Sequence, residues 1–166
     1  MMLNLEDKSL ILRLLTENDK AFLEKVYFNT REAEMQLWLD ATVEMKTSFL
    51  TQQFNAQHEY YQKNYVGAYF WVIEKSSIDM GRLYYDEAFR GGIRIIDIAL
   101  LPDFQNKGIG TTLLKSILER AKALEKNVTI HVESFNPAMD LYKKLGFQKI
   151  SETNGVYHLL EWNYKH

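Results

Sequence analysis

The chain has 166 residues, of which 46% are hydrophobic and 25% are charged, and this composition predicts one folded domain over residues 1–166. Its formal net charge of −2 argues against nucleic acid as the main partner, because phosphate binding usually needs a basic face. The lack of cysteine excludes disulfides, thiolate catalysis and cysteine-based zinc sites. Neither a signal-peptide pattern nor a run of about 18 apolar residues is apparent, so we expect no membrane partner and a cytoplasmic location.

The first part of the chain predicts a strand followed by helices. Residues Ser9–Leu15 read as a short strand. Thr16 and Asp19 are spaced like a capping box that opens a helix. The predicted helices are Glu17–Phe28, a short second helix that Asn29-Thr30 caps near Arg31, and a longer helix over Val43–Asn64.

The pattern then changes to strands. Residues Ala68–Glu74 and Met80–Tyr85 predict a hairpin around the polar segment Lys75–Asp79. The segment Ile93–Leu100 is nearly all apolar, which is typical of a central strand that is covered on both faces.

The rest of the chain alternates helices and strands. Its predicted elements are a helix over Gly108–Lys126, a strand over Val128–Val132, a helix over Asn136–Leu145 that ends at Gly146, and a hairpin of Gln148–Glu152 and Tyr157–Tyr164. A strand, a helix and a second strand in one sheet must form a parallel, right-handed unit. The element order therefore predicts an α/β (α+β) fold with a mixed sheet and flanking helices.

The loop Gln105–Gly110 joins the buried strand to the clearest helix. Glycines at a helix start let a ligand approach the backbone and leave the first N–H groups bare. Those donors and the helix dipole attract an anion, and Lys107 adds a positive charge. These features predict a phosphate-binding loop.

Two common phosphate motifs do not fit this loop. The ATP-binding pattern G-x-x-x-x-G-K-[ST] is absent, and the dinucleotide fingerprint needs a third glycine where the chain has Leu113. The alternative that stays open is that Gly108 and Gly110 serve only the turn and helix packing.

Two segments carry a resemblance to a known family. Gln105-x-x-Gly108-x-Gly110 resembles the pyrophosphate-binding signature Q/R-x-x-G-x-G/A of the GNAT superfamily of acetyltransferases. The segment Asn136–Phe147 is similar to the second cofactor segment of that family. The resemblance covers Ile93–Phe147 with specific motifs, and the element order extends it more weakly over the whole chain.

The resemblance implies acetyl-CoA as the acyl donor in a splayed sheet. The backbone of Ile98 and Leu100 would pair with the pantetheine arm, and a strand N–H would polarise the thioester carbonyl. Asn136 would bind near the pantetheine, and Tyr142 would protonate the departing thiolate. The pyrophosphate would bind to the N–H groups of Gln105, Asn106, Lys107, Gly108, Ile109, Gly110 and Thr111. The alternatives are that Asn136 only caps a helix and that Tyr142 is only a core aromatic.

The general base has several candidates. Asp97 is an acid in an apolar strand next to the expected acyl position, which suits a base, because burial favours proton uptake. It could instead pair with Arg82 or Arg94. Glu133 is the second candidate, and a mechanism without a dedicated base is the third.

These observations predict an N-acetyltransferase that modifies a primary amine of a small molecule, peptide or protein. The alternatives are a non-catalytic acyl-CoA-binding module of the same fold and a nucleotide-binding protein. The four histidines show no ligand-like spacing, so we expect no metal. Met35 and Trp38 would form either a pocket wall or a homodimer contact. The acceptor candidates are Arg31, Glu32, Glu34, Tyr60, Tyr61, Tyr84 and Tyr85.

Overall fold

The computed structural model describes residues 3–166, in which seven strands form one sheet. The spatial order is β1-β2-β3-β4-β5-β7-β6. The strands are β1 (Leu10–Leu14), β2 (Tyr69–Lys75), β3 (Ile78–Phe89), β4 (Gly92–Leu100), β5 (Val128–Glu133), β6 (Gln148–Thr153) and β7 (Tyr157–Trp162). The helices are α1 (Lys20–Gln36), α2 (Val43–Asn64), α3 (Ile109–Leu124) and α4 (Met139–Lys144), with single 3-10 turns at Glu17–Asp19 and Pro102–Phe104.

The sheet is mixed and splayed, which confirms the predicted fold class. Strand β4 lies at the centre and pairs in parallel with β5, whereas the other neighbours pair antiparallel. The parallel pairing starts at Ile93 opposite Val128 and ends at Ile95 opposite Ile130. Beyond those residues β4 and β5 separate and open a split in the sheet.

Helices cover both faces of the sheet. One core contains α3, α4 and sheet residues such as Ile73 and Ile95. The other contains α1, α2 and sheet residues such as Val72 and Tyr84. Adjacent residues 72 and 73 point into different cores because side chains alternate along a strand. The apolar run of β4 is therefore explained by burial on both faces.

The first helix is longer than predicted. The capping box of Thr16 and Asp19 is present, and it opens the 3-10 turn that leads into α1. However, α1 continues through Asn29 and Thr30, so the predicted second helix near Arg31 is wrong. The Thr30 hydroxyl donates to the carbonyl of Tyr27 at 2.6 Å. Its hydrogen bond is therefore made within α1, and it does not cap a new helix.

Strand β3 is also longer than predicted. Ser76 and Ser77 both have positive φ, so the hairpin turn is tighter than the polar segment indicated. Past Tyr85, β3 continues to pair with β4 as far as Phe89. The Oε1 atom of Glu87 forms an ion pair with Arg120 Nη2 at 2.6 Å. This pairing allows an acidic residue inside the strand.

The last helix ends in a Schellman motif. Gly146 has φ +101°, and its N–H donates to Lys143 O at 3.1 Å. The N–H of Phe147 donates to Tyr142 O at 3.0 Å, and the two rings lie 5.6 Å apart, edge to face. The predicted end of this helix is confirmed, and the motif fixes Tyr142 in its last turn. Across residues 3–166, none of the helices has the length and apolar character that a membrane crossing would need.

Candidate active site

A β-bulge in β4 sets the direction of the side chains at the split. Tyr84 pairs with Asp97 and Tyr85 pairs with Ile95, so Ile96 is an extra residue in β4. A bulge breaks the alternation of the strand and re-aims the residue that follows it. Ile96 packs against the core of α1 and α2 and Ile98 against the other core, which leaves Asp97 on the α1 and α2 face.

The backbone of β4 faces the split at the two predicted positions. Leu101 N–H donates to Met80 O in β3 at 2.9 Å. Because alternate residues direct their backbone groups to opposite edges of a strand, Leu100 and Ile98 face away from β3. The Gln105 side chain agrees with this direction, since its Nε2 donates to Leu100 O at 2.7 Å. Strand β4 thus presents the backbone of Ile98 and the N–H of Leu100 to a ligand in the split, whereas the Leu100 carbonyl already accepts from Gln105.

The loop after β4 leads into α3 with its first N–H groups unbonded within the helix. Thr112 N–H makes the first helical bond, to Gly108 O at 3.0 Å, so Ile109, Gly110 and Thr111 precede it. Asn106 and Gly108 have φ +59° and +82°. Positive φ at these two residues turns the backbone, and turns with successive free N–H groups form concavities that bind anions.

The two glycines of the loop have different reasons to be glycine. Gly108 needs its positive φ, which explains it as a turn residue. Gly110 has no such need, and a Cβ added there would meet nothing within 4 Å. Neither backbone geometry nor packing inside the protein therefore requires glycine at 110. Close approach by a ligand does explain it, so the loop fits a pyrophosphate.

The backbone N–H of Gln105 was expected to bind the pyrophosphate, but it is already hydrogen-bonded within the protein. Its own N–H donates to Pro102 O at 3.2 Å. The unbonded backbone donors of the loop therefore begin at Asn106 and continue through the exposed Lys107. Gln105 instead ties the loop to β4 through its side chain.

A cavity of about 350 Å³ lies at the split, at the end remote from the paired part of β4 and β5. It collects residues from seven elements, so its composition depends on the tertiary fold. The predicted residues that line it are Arg31, Tyr61, Asp97, Ile98, Glu133, Asn136 and Tyr142. The lining residues that sequence reasoning did not propose for the site include Tyr27, Thr30, Gln57, His131 and Tyr157.

Tyr142 lines the cavity although only 3% of the residue is exposed. Burial, and secondarily the nearby charge of Asp97, raises the pKa of the Tyr142 phenol above its ordinary value. The hydroxyl is therefore protonated at neutral pH. A protonated phenol at a cavity wall can donate a proton to a leaving group.

The side-chain oxygen of Asn136 stabilises a turn in the backbone. Its Oδ1 accepts from Ala138 N–H at 2.8 Å, which fixes the turn before α4. The α-helical part begins only at Met139, three residues later than predicted, because this turn precedes it. Asn136 also lines the cavity, so its Nδ2 donors are available on that side.

Asp97 forms an ion pair with Arg82, the structural pairing that the sequence left open. Arg82 Nη2 lies 2.8 Å from Oδ2 and Nε lies 3.3 Å from Oδ1. Burial by itself lowers the pKa of Arg82, but the Asp97 carboxylate and the neighbouring Tyr84 and Tyr61 offset this, and the net direction is upward. The guanidinium thus stays charged and holds both carboxylate oxygens.

Glu133 is paired at only one oxygen. Arg31 Nη1 lies 2.8 Å from Glu133 Oε1 and 2.9 Å from Glu34 Oε1. Arg31 also stacks over the Tyr27 ring, with 5.4 Å between its Cζ and the ring centroid. One guanidinium therefore serves two carboxylates at the cavity mouth, which leaves this corner acidic.

The structure separates the acceptor candidates. Arg31 and Tyr61 line the cavity, and Glu34 lies beside it. Glu32, Tyr60, Tyr84 and Tyr85 line neither this cavity nor its neighbour. Trp38 packs edge to face on Phe49 at 5.6 Å. Among residues 3–166 there is no group of three or more His, Asp or Glu residues that could hold a metal ion.

Solved structures share this fold over almost the whole chain. The PaiA N-acetyltransferase of Thermoplasma acidophilum, in complex with coenzyme A, has a TM-score of 0.68 at 18% identity, over 94% of this chain and 99% of that chain. An acetyltransferase from Thermus thermophilus has a TM-score of 0.64 at 15% identity, over 93% and 97%. At such low identity these similarities establish the fold alone.

Residues 33–147 match the Acetyltransferase (GNAT) family, and the chain belongs to that family. This confirms the resemblance that the two cofactor segments indicated. The N-acetyltransferase CgeE of Bacillus subtilis, described as uncharacterized, is 34% identical over 86 residues, which are 51% of this chain and 33% of that protein. An N-alpha-acetyltransferase of Saccharolobus solfataricus is 36% identical over 67 residues, which are 38% of this chain and 40% of that protein. The chain thus spans between a third and two fifths of the length of these curated relatives.

Proposed function

We propose that the protein transfers the acetyl group of acetyl-CoA to a primary amine held in the cavity at the split. The edge of β4 that faces the split, at Ile98 and the Leu100 N–H, carries this proposal, since it connects the loop before α3 with Tyr142. A backbone edge, a phosphate nest and a proton donor in one continuous surface match the parts of an acyl thioester with a pyrophosphate.

The chain's own groups would hold the donor at both ends. The N–H groups from Asn106 to Thr111 point from the loop and the first turn of α3, where negative charge is favoured. A second cavity of about 440 Å³ lies beside this loop, with Lys75 and Lys107 in its wall. Lys107 there suits the nucleotide end of coenzyme A, whereas Lys75 is paired with Asp7 of the same wall at 3.3 Å. The Nδ2 group of Asn136 would bind the other end, near the pantetheine.

When bound, acetyl-CoA supplies an activated acetyl carbonyl and a thiolate leaving group. A backbone N–H on the free edge of β4, in the segment Ile98–Leu100, polarises that carbonyl. Tyr142 would keep its proton until the C–S bond of the thioester breaks and would then donate it to the sulfur, and the proton that the attacking amine loses would balance the one that Tyr142 gives up. Only 3% of Tyr142 is exposed, so water has limited access to the hydroxyl that would donate the proton.

The amine must lose its proton before attack, and two carboxylates face it. Asp97 remains the predicted base, but both of its carboxylate oxygens already accept hydrogen bonds from the Arg82 guanidinium. Glu133 has one oxygen outside its ion pair and lies at the cavity mouth. The geometry therefore favours Glu133. Glu133→Gln should lower turnover most at pH values below the amine's pKa, and Asp97→Asn should chiefly lower stability.

Release of thiol from acetyl-CoA across a panel of primary amines tests the proposal. We expect thiol release that depends on the amine, with an acetylated product of matching mass. Calorimetry with acetyl-CoA, run in parallel, separates the alternatives. Binding without turnover of any amine would indicate an acyl-CoA-binding module, and absence of binding would contradict the cofactor assignment as well.

A further inference from the structure

An apolar groove adjoins the active-site cavity. It encloses about 540 Å³ and is walled by Leu37 at the end of α1, Phe135 after β5, and Val156 in the β6–β7 turn. These side chains are 81%, 63% and 40% exposed. Three separate elements thus present apolar side chains to one open groove.

The groove continues the acceptor end of the cavity. Arg31, Glu133 and Tyr157 line both spaces, so no other residue layer separates them. The walls are also fixed relative to each other, because Ser134 N–H donates to Val156 O at 2.7 Å. A molecule whose amine reaches the cavity past Glu133 has its remaining part in this groove.

The charges around the two spaces leave one carboxylate in excess. The cations are Arg31 and Arg82, and the anions are Glu34, Asp97 and Glu133. Burial, and secondarily Arg94, lowers the pKa of His131, so this histidine is neutral at pH 7. A single excess negative charge at the junction suits one ammonium group. A second ammonium beside Leu37, Phe135 and Val156 would exchange part of its hydration for apolar contacts, and no further carboxylate is in excess there to pair with it.

We infer that the acceptor is an apolar monoamine, a primary amine on an uncharged hydrocarbon-rich body that fills the groove of Leu37, Phe135 and Val156. This inference rests on the proposed function and names its substrate class. The amine enters as an ammonium ion attracted by Glu34 and Glu133. Its apolar body is removed from water when it packs against the groove walls. Polyamines are poor acceptors because their distal ammonium groups have no partner there.

Hexylamine and 1,6-diaminohexane form the sharpest pair of probes, because they differ only in the distal amine. We expect kcat/KM for hexylamine to exceed that for the diamine by about tenfold or more. Val156→Asp should lower the hexylamine value by about tenfold and raise the relative value for the diamine. Leu37→Asp, at a more exposed position, should act in the same direction. A peptide that begins Leu-Phe, as a third probe, distinguishes a polypeptide acceptor from a small one.

Ile150→Asp is the matched control, since Ile150 is 53% exposed on β6 and lines neither space. Equal or better use of the diamine by the wild type, or equal effects of Ile150→Asp and Val156→Asp, would overturn the inference. Calorimetry of both amines with the coenzyme A-saturated protein gives the same comparison without turnover. Selective binding of hexylamine with no acetylation of any amine would therefore keep the groove assignment and contradict only the proposed function.

Discussion

Removal of the Arg82 guanidinium tests how much the ion pair with Asp97, in the wall of the active-site cavity, stabilises the protein. Arg82→Met keeps a side chain of similar length but deletes both hydrogen bonds from the guanidinium to the carboxylate, and only the Tyr61 hydroxyl, at 3.4 Å from Asp97 Oδ2, still donates to it. Arg82 is 2% exposed and also donates to Gln57 Oε1 at 3.0 Å. The variant thus leaves the Asp97 carboxylate without its cation.

The expected loss follows from the burial of the pair. Breaking a buried ion pair by removing one partner costs about 3–5 kcal/mol. The Asp97 side chain is 17% exposed and faces the cavity, so water can reach it and the lower end, about 3 kcal/mol, applies. For a protein of this size that corresponds to a fall in Tm of about 6–12 °C.

Thermal unfolding followed by circular dichroism measures this change. A double variant with Asp97→Asn should be less destabilised than the two single losses together, because it leaves no unpaired charge. Lys149→Met removes one partner of the exposed pair with Glu152 and should leave Tm almost unchanged. A wild-type Tm for Arg82→Met would refute the view that Asp97 depends on this pair, and would restore Asp97 as the better-placed base.

Three further changes probe the donor site, the acid and the first helix. Tyr142→Phe keeps the buried ring and should lower kcat by about 10²–10⁴ while acetyl-CoA affinity changes little; normal turnover would make Tyr142 a packing residue. Gly110→Val should weaken coenzyme A binding by calorimetry without unfolding the protein, since a side chain there meets no protein atom; unchanged affinity would contradict the pyrophosphate assignment. The Arg13 guanidinium, with backbone hydrogen bonding, lowers the pKa of Asp19 from 3.8 to about 2, against the effect of burial, so its stabilisation is present above pH 4 and is lost as the pH falls towards 2. Acid titration of Asp19→Asn should show a flatter decline over that range, and an unchanged slope would assign the acid sensitivity to other carboxylates.

Local signals in the sequence determined most elements correctly. The bounds of α2 agree with the prediction at both ends, because Thr42 caps its start and its apolar spacing is regular. The capping box at Thr16 and the C′ role of Gly146 depend only on neighbouring residues, so a single sequence reveals them. The loop Gln105–Gly110 belongs to the same class, since its turn and its free donors are properties of one short segment.

The errors occurred where a distant contact changed a local preference. Asn29 and Thr30 look like the cap of a new helix, but α1 continues through them because its apolar face, with Leu23 and Tyr27, packs on α2. Strand β3 runs past its apolar part because β4 supplies pairing partners and Arg120 neutralises Glu87. Neither partner is visible in the local pattern.

The site divides in the same way. The sequence by itself predicted the anion-binding loop and carried the two segments that resemble the family, and the family is confirmed, since each segment is a short run of residues with a fixed spacing. Only the tertiary structure decided what surrounds them. The bulge at Ile96 turns Asp97 towards Arg82, and the packing of α1 beside β5 brings Arg31 to Glu133, 102 positions apart in the chain. Such pairs depend on which faces of remote elements meet, and the spacing of residues within one segment carries no record of that.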